Sequence, residues 1–203
     1  AWGAPVGGGE LALGLKNGYV SPSIGNIDTS FTFRVTWIDE INGLLPTSVT
    51  VHINTGSFPM TLESGDASTG AVYAYTTQLT RVPHAFYFES AGPLFRLPDT
   101  GTYGGPSVTN RAPVLSAHSV TPGVGNMGDD YIYEVTYTDE DGDAASVVRN
   151  VIIDDVSHQM AVHSGSDPKL GIVFRHTESG LDRDPHKFRF EFSDGLDTVL
   201  SPP

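Results

Sequence analysis

The sequence predicts an all-β chain made of two tandem β-sandwich domains. Three observations lead there. The chain matches itself at a shift of about one hundred residues, the signature of a repeated structural unit. Apolar residues recur at every second position in short runs bounded by Gly, Pro, Asn and Asp. No segment carries a sustained helical period.

The repeat is read from named residues. Phe31, Phe33, Val35, Thr36, Trp37, Asp39 and Glu40 align with Tyr131, Tyr133, Val135, Thr136, Tyr137, Asp139 and Glu140, and Val51, Ile53 and Met60 with Val151, Ile153 and Met160. After small insertions Pro83-His84, Phe86, Phe88 and Glu89 align with Pro185-His186, Phe188, Phe190 and Glu191. The domains are therefore placed at 1–108, with a Gly-rich arm at 1–9, and at 109–203. Each is long enough for a modest core of its own. The connection, Thr109-Asn110-Arg111-Ala112-Pro113-Val114, is short and contains proline, which restricts hinging.

Along the first domain, Glu10 to Lys16 alternates Leu11, Leu13 and Leu15 with polar or small residues and predicts a strand; Ser21 to Ile27 is a Pro/Gly turn. Ser30 to Trp37 puts Phe31, Phe33, Val35 and Trp37 on one face and Thr32, Arg34 and Thr36 on the other. Val49 to Ile53, Val72 to Tyr75 and Ala85 to Glu89 continue the pattern. The second domain has the same inward rows: Tyr131, Tyr133, Val135 and Tyr137, then Val151 and Ile153, Ile172 to Phe174, and Phe188, Phe190 and Phe192. Six or seven short strands per domain indicate sandwiches of immunoglobulin-like type.

Composition limits the function. The net charge is −13, with eight acidic against four basic residues in 1–108 (net −4) and sixteen against seven in 109–203 (net −9). Such a surface repels phosphate backbones and anionic lipid, so nucleic acid is not an expected partner. No apolar run approaches the roughly 18 residues of a membrane helix, so membrane insertion is not expected either. The sequence begins at Ala1 without methionine, read here as a removed secretion signal and hence an extracellular or cell-surface location. Cysteine is absent, and none of the seven asparagines begins an N-glycosylation sequon.

Val135-Thr136-Tyr137-Thr138-Asp139-Glu140-Asp141-Gly142-Asp143, the strand end Val151-Ile152-Ile153-Asp154, the region of Thr177, and Phe190-Glu191-Phe192-Ser193-Asp194-Gly195 followed by Pro202 resemble tandem immunoglobulin-like repeats. Such repeats occur in secreted, cell-surface and extracellular-fibre proteins of bacteria and archaea. The resemblance covers nearly the whole chain and implies an extracellular scaffold, adhesive or filamentous role. The first domain departs from it, with Asp39-Glu40-Ile41-Asn42-Gly43 in place of the acidic loop and Ser90-Ala91-Gly92 in place of Ser193-Asp194-Gly195.

Candidate sites follow from residue chemistry. Gly123-Val124-Gly125-Asn126-Met127-Gly128 matches a dinucleotide fingerprint in letters only, since a strand follows it and Asp129-Asp130 would repel phosphate; it reads as a turn. Asp139, Asp141 and Asp143 offer hard oxygen ligands at alternating positions, with Asp194 or Asp154 arriving from neighbouring loops. Calcium is the possible cofactor there, and a solvated acidic turn is the other reading. The loop is not an EF-hand, having Ala144 and Asn150 where glycine and glutamate belong. His84 and His186, beside prolines at matching positions, read as structural hydrogen-bonding groups, and His158, His163 and His176 as surface decoration without zinc spacing. No nucleophile elbow, HExxH, cysteine or P-loop is present, so the chain is not expected to be an enzyme.

Two functional classes remain: a structural subunit of an extracellular fibre, or an adhesin or carbohydrate-binding module of a larger surface protein, with glycans or other surface proteins as partners. The second needs a platform of exposed aromatics such as Tyr19, Tyr73 and Tyr87. The first is suggested by a seam. Trp2-Gly3-Ala4-Pro5-Val6 reads like Tyr103-Gly104-Gly105-Pro106-Ser107-Val108, and Leu200-Ser201-Pro202-Pro203 like Leu97-Pro98. Ala1, Trp2, Gly3, Ala4, Pro5 and Val6 of one subunit are thus expected to meet Val199, Leu200, Pro202 and Pro203 of another, with Ala1 to about Leu15 completing its second domain in a head-to-tail homopolymer. Two repeats of one longer covalent array would show the same register.

Overall fold

A computed structural model describes residues 11–201. Of the candidate assembly residues, Ala1, Trp2, Gly3, Ala4, Pro5, Val6, Pro202 and Pro203 lie outside the described residues, whereas Val199 and Leu200 lie within them. All regular structure among the described residues is β, as the sequence predicts. The chain divides after Thr109 into two compact units.

The first unit contains β1 (Leu13–Ser21), β2 (Ile24–Gly25), β3 (Phe31–Asp39), β4 (Ser48–Ile53), β5 (Gly56–Pro59), β6 (Thr61–Ser64), β7 (Ala71–Thr77), β8 (Ala85–Ala91), β9 (Phe95–Leu97), β10 (Tyr103–Gly104) and β11 (Ser107–Val108). The second contains β12 (Val114–Thr121), β13 (Asp130–Thr138), β14 (Arg149–Ile153), β15 (Val156–Gln159), β16 (Ala161–Ser164), β17 (Ile172–Ser179), β18 (Phe188–Ser193) and β19 (Thr198–Leu200). One sheet of the first unit has the order β1-β3-β7-β6 and the facing sheet β10-β8-β4-β5, with β9 also on β8. The second unit has β12-β13-β17-β16 and β15-β14-β18-β19, with β19 in the place of β9 and, among the described residues, no strand in that of β10.

Strand period two explains the cores. Phe31, Phe33, Val35 and Trp37 are all buried while the residues between them are half-exposed. They meet Val49, Val51 and Ile53 of β4 and Phe86 and Phe88 of β8 from the facing sheet, for example Phe33 edge-on to Phe86 at 5.0 Å between ring centroids. In the second unit Tyr133, Val135 and Tyr137 meet Val151, Ile153, Phe190 and Phe192. The first strand starts later than its alternation suggests: Leu11 is exposed, and the ladder begins at Leu13 opposite Asp39.

In each unit one ribbon crosses between the sheets. β5 pairs with β4 and β6 with β7, and the buried Met60 between them donates its N–H to the Val49 carbonyl. Met160 does the same at Arg149, between β15 and β16.

The first strand of each unit also carries a bulge. The register shifts between Lys16 and Tyr19 and between Ser116 and Ser119, and the bulged residue is left-handed, Asn17 at φ 53° and Ala117 at φ 48°. Asparagine tolerates this backbone; alanine pays roughly 1 kcal/mol for it. Ala117 is exposed, so Ala117→Asn, which copies the first unit, should stabilise the second unit by roughly 0.5–1 kcal/mol in urea unfolding. An unchanged or lowered midpoint would contradict the strain.

Candidate functional site

In the first unit the chain returns after β9 to cover the start of β8. Tyr103 pairs with Phe86 and Gly104 with Ala85, and the Tyr103 ring packs on Phe86 at 5.4 Å between centroids. Gly105, Ser107 and Thr109 then donate their backbone N–H groups to the carbonyls of His84, Ser23 and Gly25. Ser107–Val108 runs parallel to Ile24–Gly25, Pro106 is buried, and Val108 packs on the core. Phe86 is thereby left only 2% exposed.

The second unit starts the same way and is not covered in the same way. Phe188 faces Ile153 as Phe86 faces Ile53. Val199 and Leu200 lie in the edge strand β19, paired with Phe192 and Glu191 at the far end of β18, and Ser201 donates its N–H to the Phe190 carbonyl. Among the described residues no strand covers the Phe188 end. A groove of about 650 Å³ opens there, lined by Pro122, Val124, Met127, Tyr133, Leu181 and Phe188. Gly123, Gly125 and His186, the counterparts of the three residues whose carbonyls hold residues 105–109 in the first unit, border the same groove. Phe188 is half-buried, and Met127 is 61% exposed.

The acidic loop is arranged differently from the alternating triad expected of it. Asp141 does not join Asp139 and Asp143. Its buried carboxylate accepts the Arg111 side chain at 2.6 Å and the Arg111 backbone N–H at 2.9 Å, tying the loop to the strand entry. The third acid is Asp194, from the turn after β18: one carboxylate oxygen each of Asp139, Asp143 and Asp194 lies within 4.8 Å of the others. Asp154 is elsewhere, bonded to His186.

Within that group Asp139 is 1% exposed. Its Oδ1 accepts the N–H groups of Asp141 and Asp143, and its buried Oδ2 accepts no hydrogen bond. Burial pushes its carboxyl above the ordinary value, against the pull of those N–H groups and with the Asp143 charge adding to it. Asp194 lies below its ordinary value; burial opposes this, and the Asn110 amide and the backbone N–H groups of Asp197 and Leu196 outweigh it. Burial, followed by the charges of Asp139, Asp194 and Asp143, pushes the Tyr137 phenol up. The first unit supplies the contrast. Asp39 bonds the N–H groups of Asn42, Leu44 and Ile41 with both oxygens, and despite burial its carboxyl is lowered. Gly43 stands where the second unit has Asp143, and the ladders put Gly92 where it has Asp194, one residue away from the alignment of Ser90-Ala91-Gly92 with Ser193-Asp194-Gly195 that the sequence suggests.

The paired histidines are hydrogen-bonding groups at one structural position. The hairpin residue Asn54 accepts the Ala85 N–H and reaches His84, whose Nε2 bonds the Thr80 carbonyl at 2.8 Å. Asp154 likewise accepts the Lys187 N–H and bonds His186. That bond raises the His186 pKa, and it lowers that of Asp154. His158 and His176, far apart in the sequence, come together with Glu178. Of the tyrosines a sugar platform would need, Tyr73 is buried and Tyr87 is stacked on His52 at 4.3 Å with Arg96 over its ring.

No protein-family model and no curated protein sequence matches this chain. Among solved structures it is similar to pullulanase type I from Bacillus subtilis, crystallised with maltose, at 13% identity and a TM-score of 0.25. That likeness covers 91% of this chain and 24% of the pullulanase, and at that score it carries no argument.

Proposed function

We propose that this chain is a structural subunit of an extracellular fibre or surface appendage, assembling head-to-tail by inserting its N-terminal segment into the second unit of a neighbour. The observation that supports this is the groove beside Phe188. In the first unit the equivalent place holds Tyr103-Gly104-Gly105-Pro106-Ser107-Val108, and Trp2-Gly3-Ala4-Pro5-Val6 has the same order of aromatic, glycine, small residue and proline.

The chemistry of the fit is specific. Trp2 takes the place of Tyr103 on Phe188, and Pro5 that of the buried Pro106. By the same register the amide of Ala4 would meet the carbonyl of His186, and those of Val6 and Gly8 the carbonyls of Gly123 and Gly125. A buried indole removes roughly 150–250 Å² from water, about 4–6 kcal/mol at 25 cal/mol per Å², against the cost of ordering the arm. Addition of a strand-like segment to an open sheet edge is a general recognition mode. A contact between two different surfaces that does not close into a ring grows into a filament.

The test is assembly of the full chain beside a variant lacking residues 1–9, followed by sedimentation and microscopy. The full chain should form filaments at high concentration, and the truncated chain should stay monomeric with an unchanged circular dichroism spectrum. A truncated chain that polymerises equally, or a full chain that remains monomeric, would overturn the reading; the second result is the one expected if a covalently following segment fills the groove.

We also propose that Asp139, Asp143 and Asp194 hold calcium. Support comes from the buried Asp139 oxygen that accepts no hydrogen bond, beside carboxylates the first unit lacks. Calcium takes six to eight oxygens, so backbone carbonyls or water complete the shell. Millimolar calcium should raise the melting temperature of the second unit, by roughly 4–8 °C for each kcal/mol of linked binding, and leave the first unchanged. Asp194→Asn should remove the response; equal shifts in both units, or none, would leave the loop a solvated turn.

A further inference from the structure

His158 lies on β15, and His176 and Glu178 on β17, so the three belong to strands of different sheets. The ribbon β15–β16 crosses between those sheets at Met160, and His158, two residues before the crossing, reaches the end of β17. On β17 the positions two apart share a face, so His176 and Glu178 extend the inward row of Ile172 and Phe174 past the edge of the core. His158 Nδ1 lies 3.1 Å and His176 Nε2 2.9 Å from the same oxygen, Glu178 Oε2. The two rings are 5.0 Å apart between centroids.

These separations suit a metal. With bonds of about 2.0–2.2 Å, ligand atoms around a tetrahedral zinc are roughly 3.3 Å apart, so two edges of the polyhedron already stand within a few tenths of an ångström of that spacing. The third ligand pair is within 4.8 Å. The side chains are 26%, 19% and 23% exposed, so an ion can enter and water can fill the remaining positions.

The first unit shows what the same place looks like without ligands. Phe58 faces Val51 as His158 faces Val151, Tyr75 faces Phe33 as His176 faces Tyr133, and Thr77 faces Phe31 as Glu178 faces Tyr131. There Phe58 and Tyr75 stack at 5.0 Å and close the end of the sandwich with an apolar pair. An aromatic plug and a set of two imidazoles with one carboxylate thus occupy one structural position in the two units.

We propose that His158, His176 and Glu178 form a binding site for a divalent first-row transition metal, which fastens the crossing ribbon of the second unit to the opposite sheet. Two nitrogens and one carboxylate oxygen suit zinc, cobalt, nickel or copper over calcium or magnesium. The site is separate from the acidic group at Asp139, which offers oxygen alone.

The experiment titrates the full chain with zinc by calorimetry and with cobalt by visible absorption, at pH 7.5 and without chelating buffer. The expected result is about one equivalent per chain, with the intense d–d bands of tetrahedral cobalt. The double variant His158→Phe, His176→Tyr copies the first unit's aromatic pair and so keeps a filled position. It should retain its circular dichroism spectrum and lose that equivalent, whereas Asp194→Asn should keep it. No binding at micromolar metal, or an equivalent that survives the double variant, would overturn the proposal.

Discussion

Each unit depends on covering the strand that carries its central phenylalanines. Phe86 and Phe88 in one unit, and Phe188 and Phe190 in the other, project into the core from a strand whose outer side must be paired along its whole length if the sandwich is to exclude water. β4 and β14 cover one side completely. On the other side the first unit needs two pieces, β9 for the far end of β8 and residues 103–109 for its start. The second unit has the first piece, β19, and among the described residues not the second. The groove and the half-exposed Phe188 both follow from that difference.

On the same framework the two units carry different polar chemistry. The hairpin position that anchors the start of the covered strand is an Asn54–His84 pair in one and an Asp154–His186 pair in the other. The buried aspartate after the central strand caps a turn with both oxygens at Asp39, and with one at Asp139. The end of the sandwich is plugged by Phe58 and Tyr75, or occupied by His158, His176 and Glu178. The larger negative charge of 109–203 is therefore partly placed at sites the first unit fills with uncharged groups.

Much of this was legible in the chain. The rows Phe31 to Trp37 and Tyr131 to Tyr137 alternate because a strand exposes alternate faces, and Val51 and Val151, aligned at a shift of 100, and Phe86 and Phe188, aligned at a shift of 102, take corresponding ladder positions. The shared Pro-His pair recurs at one position because its imidazole bonds the hairpin residue there, Asn54 in one unit and Asp154 in the other. Three points were not legible. Asp141 looked equivalent to its neighbours, and only the fold returns Arg111 to it across thirty residues. His158 and His176 lack metal spacing because the crossing at Met160, not the local sequence, brings them together. Tyr73 looked available to a ligand, but its strand position puts it in the core.

If the second unit's groove receives a segment of aromatic, glycine, small residue and proline, hydrogen exchange of the chain lacking residues 1–10 will change on addition of a peptide of residues 1–15. Binding should be saturable, protection should be confined to the stretches around Gly123–Met127 and Leu181–Phe188, and both should be lost when the peptide carries Trp2→Ala. Absence of binding, or protection elsewhere in the second unit, would contradict the proposed assembly.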